Sequence, residues 1–241
     1  MSEWFKDWFA SEEYLQVYSH RDEGEAKLLI EFILNKISIP ENALVLDAAC
    51  GAGRHSKIFL EKNYKVFGFD LSKTLLKIAD NSLDKNSNFI CADLRRICFK
   101  QKFDLIVNLF TSFGYFEDDS ENLQFIKSAY KMLNDSGYYV FDYLNPIYVE
   151  NNLVPFSKSI KNNREIIEER KIINGRVEKQ ITIKSNSGTR EYKESVKLYS
   201  YTEIEIMFSK IGFNILKSFG DYSGNEFDGS KSNRMLIIFK K

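Results

Sequence analysis

Three aspartates, each following a short apolar run, have the spacing of a nucleoside-binding site. The first opens a turn with two glycines, Asp47-x-x-Cys50-Gly51-Ala52-Gly53, and Asp70 and Asp93 end the next two runs. A glycine turn between a strand and a helix lets the backbone approach a ligand and leaves N–H groups free at the helix start. An acid ~20 residues further on is placed to accept hydrogen bonds from both hydroxyls of a ribose. The third acid would lie further along the same crevice, at the position of an adenine amino group.

The elements that must position these acids alternate between strand and helix. Apolar runs predict strands at 43–47, 65–70, 88–93, 102–108 and 138–142, and helical patterns lie at 22–37, 56–62, 73–84 and 119–134. The runs are continuously apolar, as in strands that are covered on both faces. Strands alternating with helices predict a parallel sheet between two helical layers. All three acids would then lie at carboxyl ends of strands, where open α/β sheets bind ligands.

The Asp47 turn also helps to separate the possible ligands. A dinucleotide site has the fingerprint G-x-G-x-x-G, but here Ser56 replaces the third glycine and a carboxylate at Asp47 would repel a pyrophosphate. A carboxylate is better suited to a cation, such as the ammonium group of a methionine moiety. The combination indicates S-adenosylmethionine as the cofactor, with a nicotinamide dinucleotide and a glycine turn without ligand as the alternatives.

Residues 1–38 are predicted to form a helical lid. Aromatic side chains recur four residues apart, which places each pair on one helix face. The pairs are Trp4 and Trp8, Phe5 and Phe9, and Tyr14 and Tyr18. A stripe of this kind is also typical of a helix that only packs on the core, and this simpler interpretation stays open.

An antiparallel β insertion is predicted over residues 156–200. Three β-like runs, at 165–173, 176–184 and 190–199, are separated by Asn174-Gly175 and by a second turn at 185–188. Asn-Gly is a strong signal for a two-residue hairpin. The insertion is too small for a core of its own, and bare edge strands would promote aggregation. We therefore expect the insertion to cover the substrate, to pair with its copy in a homodimer, or both.

The sheet is completed after the insertion. A helix is predicted over 202–210, with Thr202 as its N-cap and Glu205 closing a capping box. Residues 214–219 and 234–240 predict the last two strands.

Composition and charge argue against several classes of function. The 241 residues contain 34 basic and 34 acidic side chains, and this neutral balance disfavours nucleic acid as a partner. No run approaches the ~18 apolar residues of a membrane span, and the N-terminus does not have the apolar region of a signal peptide. Three cysteines without a C-x-x-C pair suggest neither disulfides nor a metal site. We expect one domain, residues 1–241, in the cytoplasm and without membrane contact.

Several motifs resemble those of the class I S-adenosylmethionine-dependent methyltransferases. Val45-Leu46-Asp47-Ala48-Ala49-Cys50-Gly51-Ala52-Gly53-Arg54-His55 resembles their first motif, Phe69-Asp70-Leu71-Ser72 their ribose motif and Ala92-Asp93-Leu94 their adenine motif. The similarity covers about residues 25–145 and 195–241. It implies a Rossmann-like, doubly wound α/β fold: a seven-stranded sheet whose last strand is antiparallel, helices on both faces and a small antiparallel β insertion.

The insertion is similar in position to one in N-methyltransferases that act on amino acids and amino sugars. One departure is Ala48-Ala49, where many members have a Leu-Gly type pair. We expect it to be tolerated, because Ala costs little at a position with ordinary φ and ψ.

The resemblance implies roles for the first two motifs. Asp47 would hold the methionine ammonium, and Asp70 would accept from the ribose hydroxyls. Backbone contacts with the methionine and ribose would come from Ala49, Gly51 and Gly53.

The remaining cofactor contacts follow from the same resemblance. Asp93 would accept from the adenine amino group, the Leu94 N–H would donate to the ring, and Leu71 would flank it. Asn108 and Leu109 would pass beside the methionine. Tyr18 and Arg21 would close over the cofactor, with Arg21 against its carboxylate; a surface salt bridge within the acidic stretch 22–25 is the alternative for Arg21.

The resemblance predicts transfer of a methyl group to a nitrogen or oxygen of a small-molecule acceptor by in-line displacement. Such a reaction needs alignment and exclusion of water, and it needs a base only when the acceptor arrives protonated. Tyr115 and Asp142 are the candidate catalytic residues; packing for Tyr115 and a turn or cap for Asp142 are the simpler interpretations. A non-catalytic S-adenosylmethionine-binding regulatory protein and an RNA or protein methyltransferase are the alternative functions.

Overall fold

The computed structural model describes residues 3–18, 23–82 and 87–241. The helices in these ranges are α1 (Trp4–Ala10), α2 (Glu12–Val17), α3 (Glu23–Leu34), α4 (Arg54–Glu61), α5 (Lys73–Ser82), α6 (Asp119–Met132), α7 (Pro146–Asn152) and α8 (Tyr201–Ser209). The strands are β1 (Leu44–Ala48), β2 (Lys65–Asp70), β3 (Ser87–Cys91), β4 (Phe103–Asn108), β5 (Leu133–Leu144), β6 (Phe156–Lys161), β7 (Arg164–Ile173), β8 (Arg176–Ser185), β9 (Gly188–Lys197), β10 (Asn214–Phe219) and β11 (Arg234–Lys240). Within the described part of the chain, no helix is both long enough and apolar enough to cross a membrane.

The main sheet has seven strands in the order β10-β11-β5-β4-β1-β2-β3. β1 pairs in parallel with β2 and β4, whereas β11 is antiparallel to both β5 and β10. The chain order reverses between β1 and β4, and open sheets of this type bind ligands at such a switch point. The predicted seven-stranded fold with an antiparallel last strand is confirmed.

Both faces of the main sheet are covered by helices. On one face Leu105 packs in a cluster with Ile33 of α3 and Phe59 of α4. On the other face the next residue, Ile106, packs in a cluster with Phe125 of α6 and with side chains of α8. Neighbouring residues of one strand thus enter opposite apolar layers, which is why the strand sequences are continuously apolar. α3 lies inside the predicted lid range 1–38, yet it is part of this core.

A second, antiparallel sheet has the order β6-β7-β8-β9. It has one strand more than the three runs that the sequence predicts, because Phe156–Lys161 pairs with β7 as an edge strand. Phe156 and Ile160 are exposed on this strand, and serines alternate with them. No apolar run therefore marks β6 in the sequence.

Arg176 joins the second sheet to the loop that follows β4. Its buried guanidinium donates to the carbonyl oxygens of Gly114 at 3.0 Å and Tyr115 at 3.1 Å, and to the Ser195 hydroxyl at 2.8 Å. The Lys197 N–H donates to the Gly114 carbonyl at 2.9 Å. Residues 114–116 are thereby held against β8 and β9.

The N-terminal pair, α1 and α2, packs on the second sheet. The aromatic stripe is divided at Ser11, whose side chain accepts from the Tyr14 N–H and caps α2. Trp8 is fully buried in a cluster with Ile181 and Ile183 of the second sheet. The Ser72 hydroxyl donates to the Phe9 carbonyl at 2.6 Å. The pair thus bridges the two sheets.

The start of α8 differs from its prediction. Ser200, not Thr202, is the N-cap, and Ser200 and Glu203 form the capping box. Two overlapping S/T-x-x-E patterns occur here in the sequence, so local chemistry does not choose between them. The buried Tyr199 directly precedes the first pattern and is held by the Asn122 amide at 3.1 Å, which places the turn of the chain at Ser200.

Candidate functional site

A cavity of about 450 Å³ lies where the carboxyl ends of β1, β2 and β4 face the N-terminal pair and the second sheet. One side, here called the strand-end wall, carries Asp47, Asp70 and Asp93. The opposite side, here called the second-sheet wall, is formed by Arg170, Val177, Lys179, Glu194 and Val196. Of the predicted site residues, those that line this cavity are Tyr18, Asp47, Ala49, Gly51, Asp70, Leu71, Asp93, Leu94, Leu109 and Tyr115.

The glycine turn has a left-handed backbone at alternate residues. φ is +56° at Ala49, +55° at Gly51 and +76° at Gly53. A Cβ added at Gly51 would meet only the Leu75 side chain, at 3.7 Å, so the strain of a positive φ is what favours glycine there. The expectation of ordinary φ and ψ at Ala49 is wrong. This residue adopts a conformation that costs an L-amino acid about 1–2 kcal/mol.

Asp70 is fixed by backbone N–H groups. Its Oδ2 accepts from Gly51 at 2.9 Å and its Oδ1 accepts from Ser72 at 2.8 Å. Burial raises the pKa of Asp70, and these two hydrogen bonds oppose the rise. The carboxylate therefore ties the glycine turn to the end of β2 and faces the cavity as an acceptor, which fits a pair of ribose hydroxyls.

Asp47 is a nearly inaccessible carboxyl at the end of β1, with 2% of its surface exposed. Its Oδ2 accepts from the Ser56 hydroxyl at 2.6 Å. Burial raises the pKa of Asp47 to about 7, the Ser56 hydrogen bond opposes this rise and the nearby Asp70 charge adds to it. A cation in the cavity would favour the charged form. The ammonium group of S-adenosylmethionine fits this requirement.

Asp93 follows β3 and is held by Arg95. The Arg95 Nε and backbone N–H donate to Oδ1 at 3.0 and 2.9 Å, and Nη2 donates to Oδ2 at 2.6 Å. Burial opposes the charged form of Asp93, but these bonds outweigh it and the pKa is lowered. A carboxylate on the wall beside Leu71 and Leu94 fits the amino group of an adenine.

Three predicted cofactor residues are not among the described residues that line the cavity. Gly53 is the N-cap of α4 and does not line the cavity. Asn108 is buried beneath the cavity. The Asn108 amide nitrogen donates a long hydrogen bond of 3.4 Å to the Ala48 carbonyl, and the Asn108 Oδ1 has no partner in the described ranges. Arg21 lies outside the described residues.

The two predicted catalytic residues have different surroundings. Tyr115 lines the cavity, and its ring packs edge-on against Trp4 at 5.2 Å. Asp142 does not reach the wall, because it is fully buried and accepts from Arg234 at 2.9 Å and from the Tyr222 hydroxyl at 2.8 Å. The expectation that Asp142 orients an acceptor directly is therefore not supported by its position; its partner Arg234 lines the cavity instead.

The second-sheet wall contains charged residues that the sequence did not single out. Arg170, Lys179 and Glu194 stand directly opposite one another on β7, β8 and β9. Lys179 Nζ lies 2.9 Å from Glu194 Oε2. The two-residue periodicity of the strands places these side chains on one face. Nothing in the local sequence indicates that this face, and not the other, meets the cavity.

Glu194 also holds the N-terminal pair. Its Oε1 accepts from Trp8 Nε1 at 2.6 Å and from the Tyr18 hydroxyl at 2.5 Å. Lys179 donates to the same hydroxyl. One carboxylate on the second-sheet wall thus joins α1, the end of α2 and β8 around the cavity.

The chain is similar to known methyltransferases. Residues 45–137 match the family described as "Methyltransferase domain". The putative methyltransferase YqeM of Bacillus subtilis is 32% identical over 108 residues, which are 44% of this chain and 44% of that protein, so the matched segment spans less than half of this relative.

Solved structures match over a greater length. A S-adenosylmethionine-dependent methyltransferase from Clostridium acetobutylicum superimposes with a TM-score of 0.79 at 21% identity, covering 94% of this chain and 95% of the other. A sugar N-methyltransferase from a Streptoalloteichus species gives 0.72 at 18% identity, covering 95% and 92%. The matched domain together with this fold confirms the predicted resemblance to methyltransferases. Residues 45–137 of the chain thus match a methyltransferase domain, and the chain as a whole has the fold of solved S-adenosylmethionine-dependent methyltransferases.

Proposed function

We propose that this protein transfers the methyl group of S-adenosylmethionine to a nitrogen or oxygen of a small-molecule acceptor. The observation that carries the proposal is a single cavity with two chemically different walls. The strand-end wall carries three acids, which would suit a ribose, an adenine and an ammonium group. The second-sheet wall, which carries the ion pair of Lys179 and Glu194 at 2.9 Å, would contact the acceptor.

On the strand-end wall the residues bind and orient. Asp47 would take the methionine ammonium, Asp70 the ribose hydroxyls and Asp93 the adenine amino group. S-adenosylmethionine supplies a methyl group on a sulfonium, which is already a good leaving group. The protein then has to align the acceptor and exclude water more than it has to supply a nucleophile.

The N-terminal pair and the second-sheet wall would perform that alignment. Trp4, Phe9 and Tyr18 of the pair line the cavity together with Tyr115. These side chains form an apolar cover, which supports the predicted lid role of α1 and α2. An acceptor that arrives protonated must lose a proton, and Glu194 and Tyr115 are the groups to test as its recipients.

Two features support a small acceptor. The cavity lies under a second sheet and a helical pair, a cover unsuited to a long polymer chain. One of the superimposed relatives is a sugar N-methyltransferase, and it matches over the second sheet as well as the main sheet, since 95% of this chain is covered. An amine on a sugar or a similar small molecule is therefore the first acceptor class to test.

Calorimetric titration tests the cofactor first. We expect S-adenosylmethionine and S-adenosylhomocysteine to bind with micromolar dissociation constants, and NAD not to bind. A panel of amino sugars, amino acids and hydroxyl compounds is then incubated with S-adenosylmethionine, and formation of S-adenosylhomocysteine is followed. Cofactor binding without turnover on any acceptor would favour the non-catalytic alternative, and absence of binding would contradict the proposal.

A further inference from the structure

Arg95 does not line the cavity but holds Asp93 of the strand-end wall from behind. Besides its bonds to Asp93, its Nη2 lies 2.5 Å from Glu3 at the start of α1 and its Nη1 lies 3.1 Å from Glu121 of α6. Its guanidinium also lies over the Phe116 ring, 4.5 Å from the centroid. The side chain is only 20% exposed. Its orientation is therefore fixed from four sides.

This arrangement leaves Asp93 little freedom. A carboxylate has about four lone-pair positions, and the backbone and side chain of Arg95 occupy most of them. The guanidinium of Arg95 fixes the orientation of the Asp93 carboxylate plane, because Nε donates most closely to Oδ1 and Nη2 donates to Oδ2. Asp93 therefore presents to the cavity a carboxylate of fixed orientation, which can accept a hydrogen bond but cannot donate one.

We propose that Arg95 is a positioning residue that fixes Asp93 as a hydrogen-bond acceptor and thereby makes the site select a 6-aminopurine over a 6-oxopurine. The inference rests on the proposed function, because it requires the cofactor base to lie against Asp93. A 6-amino group donates to the carboxylate. A 6-oxo group would present its lone pairs to the same oxygen, and both would lose their hydrogen bonds to water.

Removal of Arg95 would relax this selection. A carboxyl group without the guanidinium fork can rotate away from a 6-oxo group, or take up a proton and donate to it. Burial already opposes the charged form of Asp93, so protonation becomes easier once the Arg95 bonds are lost. The preference for adenine would then fall, although the ribose and methionine contacts are unchanged.

The test compares S-adenosylhomocysteine with S-inosylhomocysteine, which differs at the purine 6-position and at N1. Calorimetry gives the dissociation constant of each for the native chain and for Arg95→Met. We expect the native chain to bind the adenosyl compound about 100-fold more tightly than the inosyl compound. This ratio of dissociation constants should fall by about tenfold in the variant, since a hydrogen bond to a charged group changes affinity by about this factor. Arg95→Lys keeps the charge without the fork, and we expect an intermediate ratio; it also replaces Arg95→Met if that variant does not fold.

Glu3→Gln and Glu121→Gln are the matched controls. Each removes one ion pair of Arg95 but leaves its bonds to Asp93, so the ratio should match that of the native chain whatever the change in absolute affinity. An unchanged ratio in both Arg95 variants would overturn the inference, as would an equal fall in Glu3→Gln, which would assign the effect to α1. Failure of the native chain to bind S-adenosylhomocysteine would instead overturn the proposed function.

Discussion

The two walls of the cavity are assembled from different distances along the chain. On the strand-end wall, Asp93 is held by Arg95 two residues away, Asp47 by Ser56 nine away and Asp70 by Gly51 nineteen away. On the second-sheet wall, Glu194 is held by Trp8 and Tyr18, which are 186 and 176 residues away. The first wall is a product of local turns, and the second exists only when two sheets and the N-terminal pair are docked.

This difference suggests that the walls can be altered separately. Substitutions on the strand-end wall should change cofactor affinity, whereas those on the second-sheet wall should change the cover and the acceptor site. The strongest challenge to this view is the buried pair of Asp142 and Arg234, because Arg234 lines the cavity while its carboxylate partner belongs to the core of the main sheet.

The largest effect is expected for Asp142→Ala. Removal of a fully buried carboxylate leaves Arg234 without its partner, and breaking such a pair costs about 3–5 kcal/mol. Urea unfolding should show that the free energy of unfolding of the variant is lower by this amount. The double variant Asp142→Ala/Arg234→Met removes the unpaired charge and should recover part of it. A single variant within 1 kcal/mol of the native chain would show that the pair is not needed beneath the two walls.

Asp70→Asn should weaken the cofactor wall alone. The amide keeps the volume of the side chain but loses charge-assisted bonds to the ribose hydroxyls, which costs about 1.5–3 kcal/mol of binding free energy. S-adenosylhomocysteine affinity, measured by calorimetry, should fall accordingly. Glu194→Gln on the opposite wall should leave this affinity within about twofold. Equal losses in the two variants would contradict the separation of the walls.

The pH dependence of binding tests Asp47. The pKa of about 7 in the folded protein lies above the ordinary 3.8, so the folded chain holds a proton that the unfolded chain has lost. Its contribution to stability therefore falls as pH rises from about 4 toward 7. An ammonium ligand needs the charged form, so S-adenosylhomocysteine affinity should rise with pH, by at most about tenfold per unit, and level off above pH 7.

Asp47→Asn is the control for this titration. It should remove the pH dependence between 5 and 8 and the release of a proton on binding, which calorimetry in buffers of different ionisation enthalpy detects. A slope that persists in Asp47→Asn would have to come from another group, and the assignment of Asp47 to the ammonium would then be wrong.

The smallest predicted effect concerns α1 and α2, which cover the cavity. Glu194→Gln weakens the charge-assisted bonds that Trp8 and Tyr18 donate to this side chain. We expect the two bonds together to lose about 1 kcal/mol, because the surface is partly exposed. Amide hydrogens of residues 4–17 should exchange a few-fold faster in this variant. Glu191→Gln is the matched control, because Glu191 lies on the same strand, is exposed and points to the opposite face. Identical exchange in both variants would show that Glu194 does not hold the cover.

The sequence was most informative where the relevant contacts are local. The glycine turn and the acids at the ends of β1, β2 and β3 follow from strand and helix periodicity, and the predicted fold and the resemblance to methyltransferases are confirmed. The individual site residues stay predictions, ten of which line one cavity. Two errors are backbone details: the left-handed φ of Ala49 and the choice of Ser200 as N-cap depend on neighbours that short patterns do not encode.

Contacts between distant segments were not predictable in this way. Asp142 and Arg234 are 92 residues apart, and no pattern in either strand indicates that they pair. Arg170, Lys179 and Glu194 share a face by periodicity alone, but the docking of two sheets decides which face is covered. For this reason the position of Asp142 does not support the role expected for it, and the sequence does not predict the second-sheet wall.

The bonds of Arg176 to the loop after β4 matter for any exchange of parts between relatives. Because this side chain reaches three successive carbonyl groups, at Gly114, Tyr115 and Phe116, the loop takes its shape from a strand about sixty positions later. A chimaera that receives a foreign second sheet would need residues 111–116 from the same donor, and their junction with β4 would be the natural crossover point. The unit that can be transplanted to change the acceptor is therefore discontinuous in the gene.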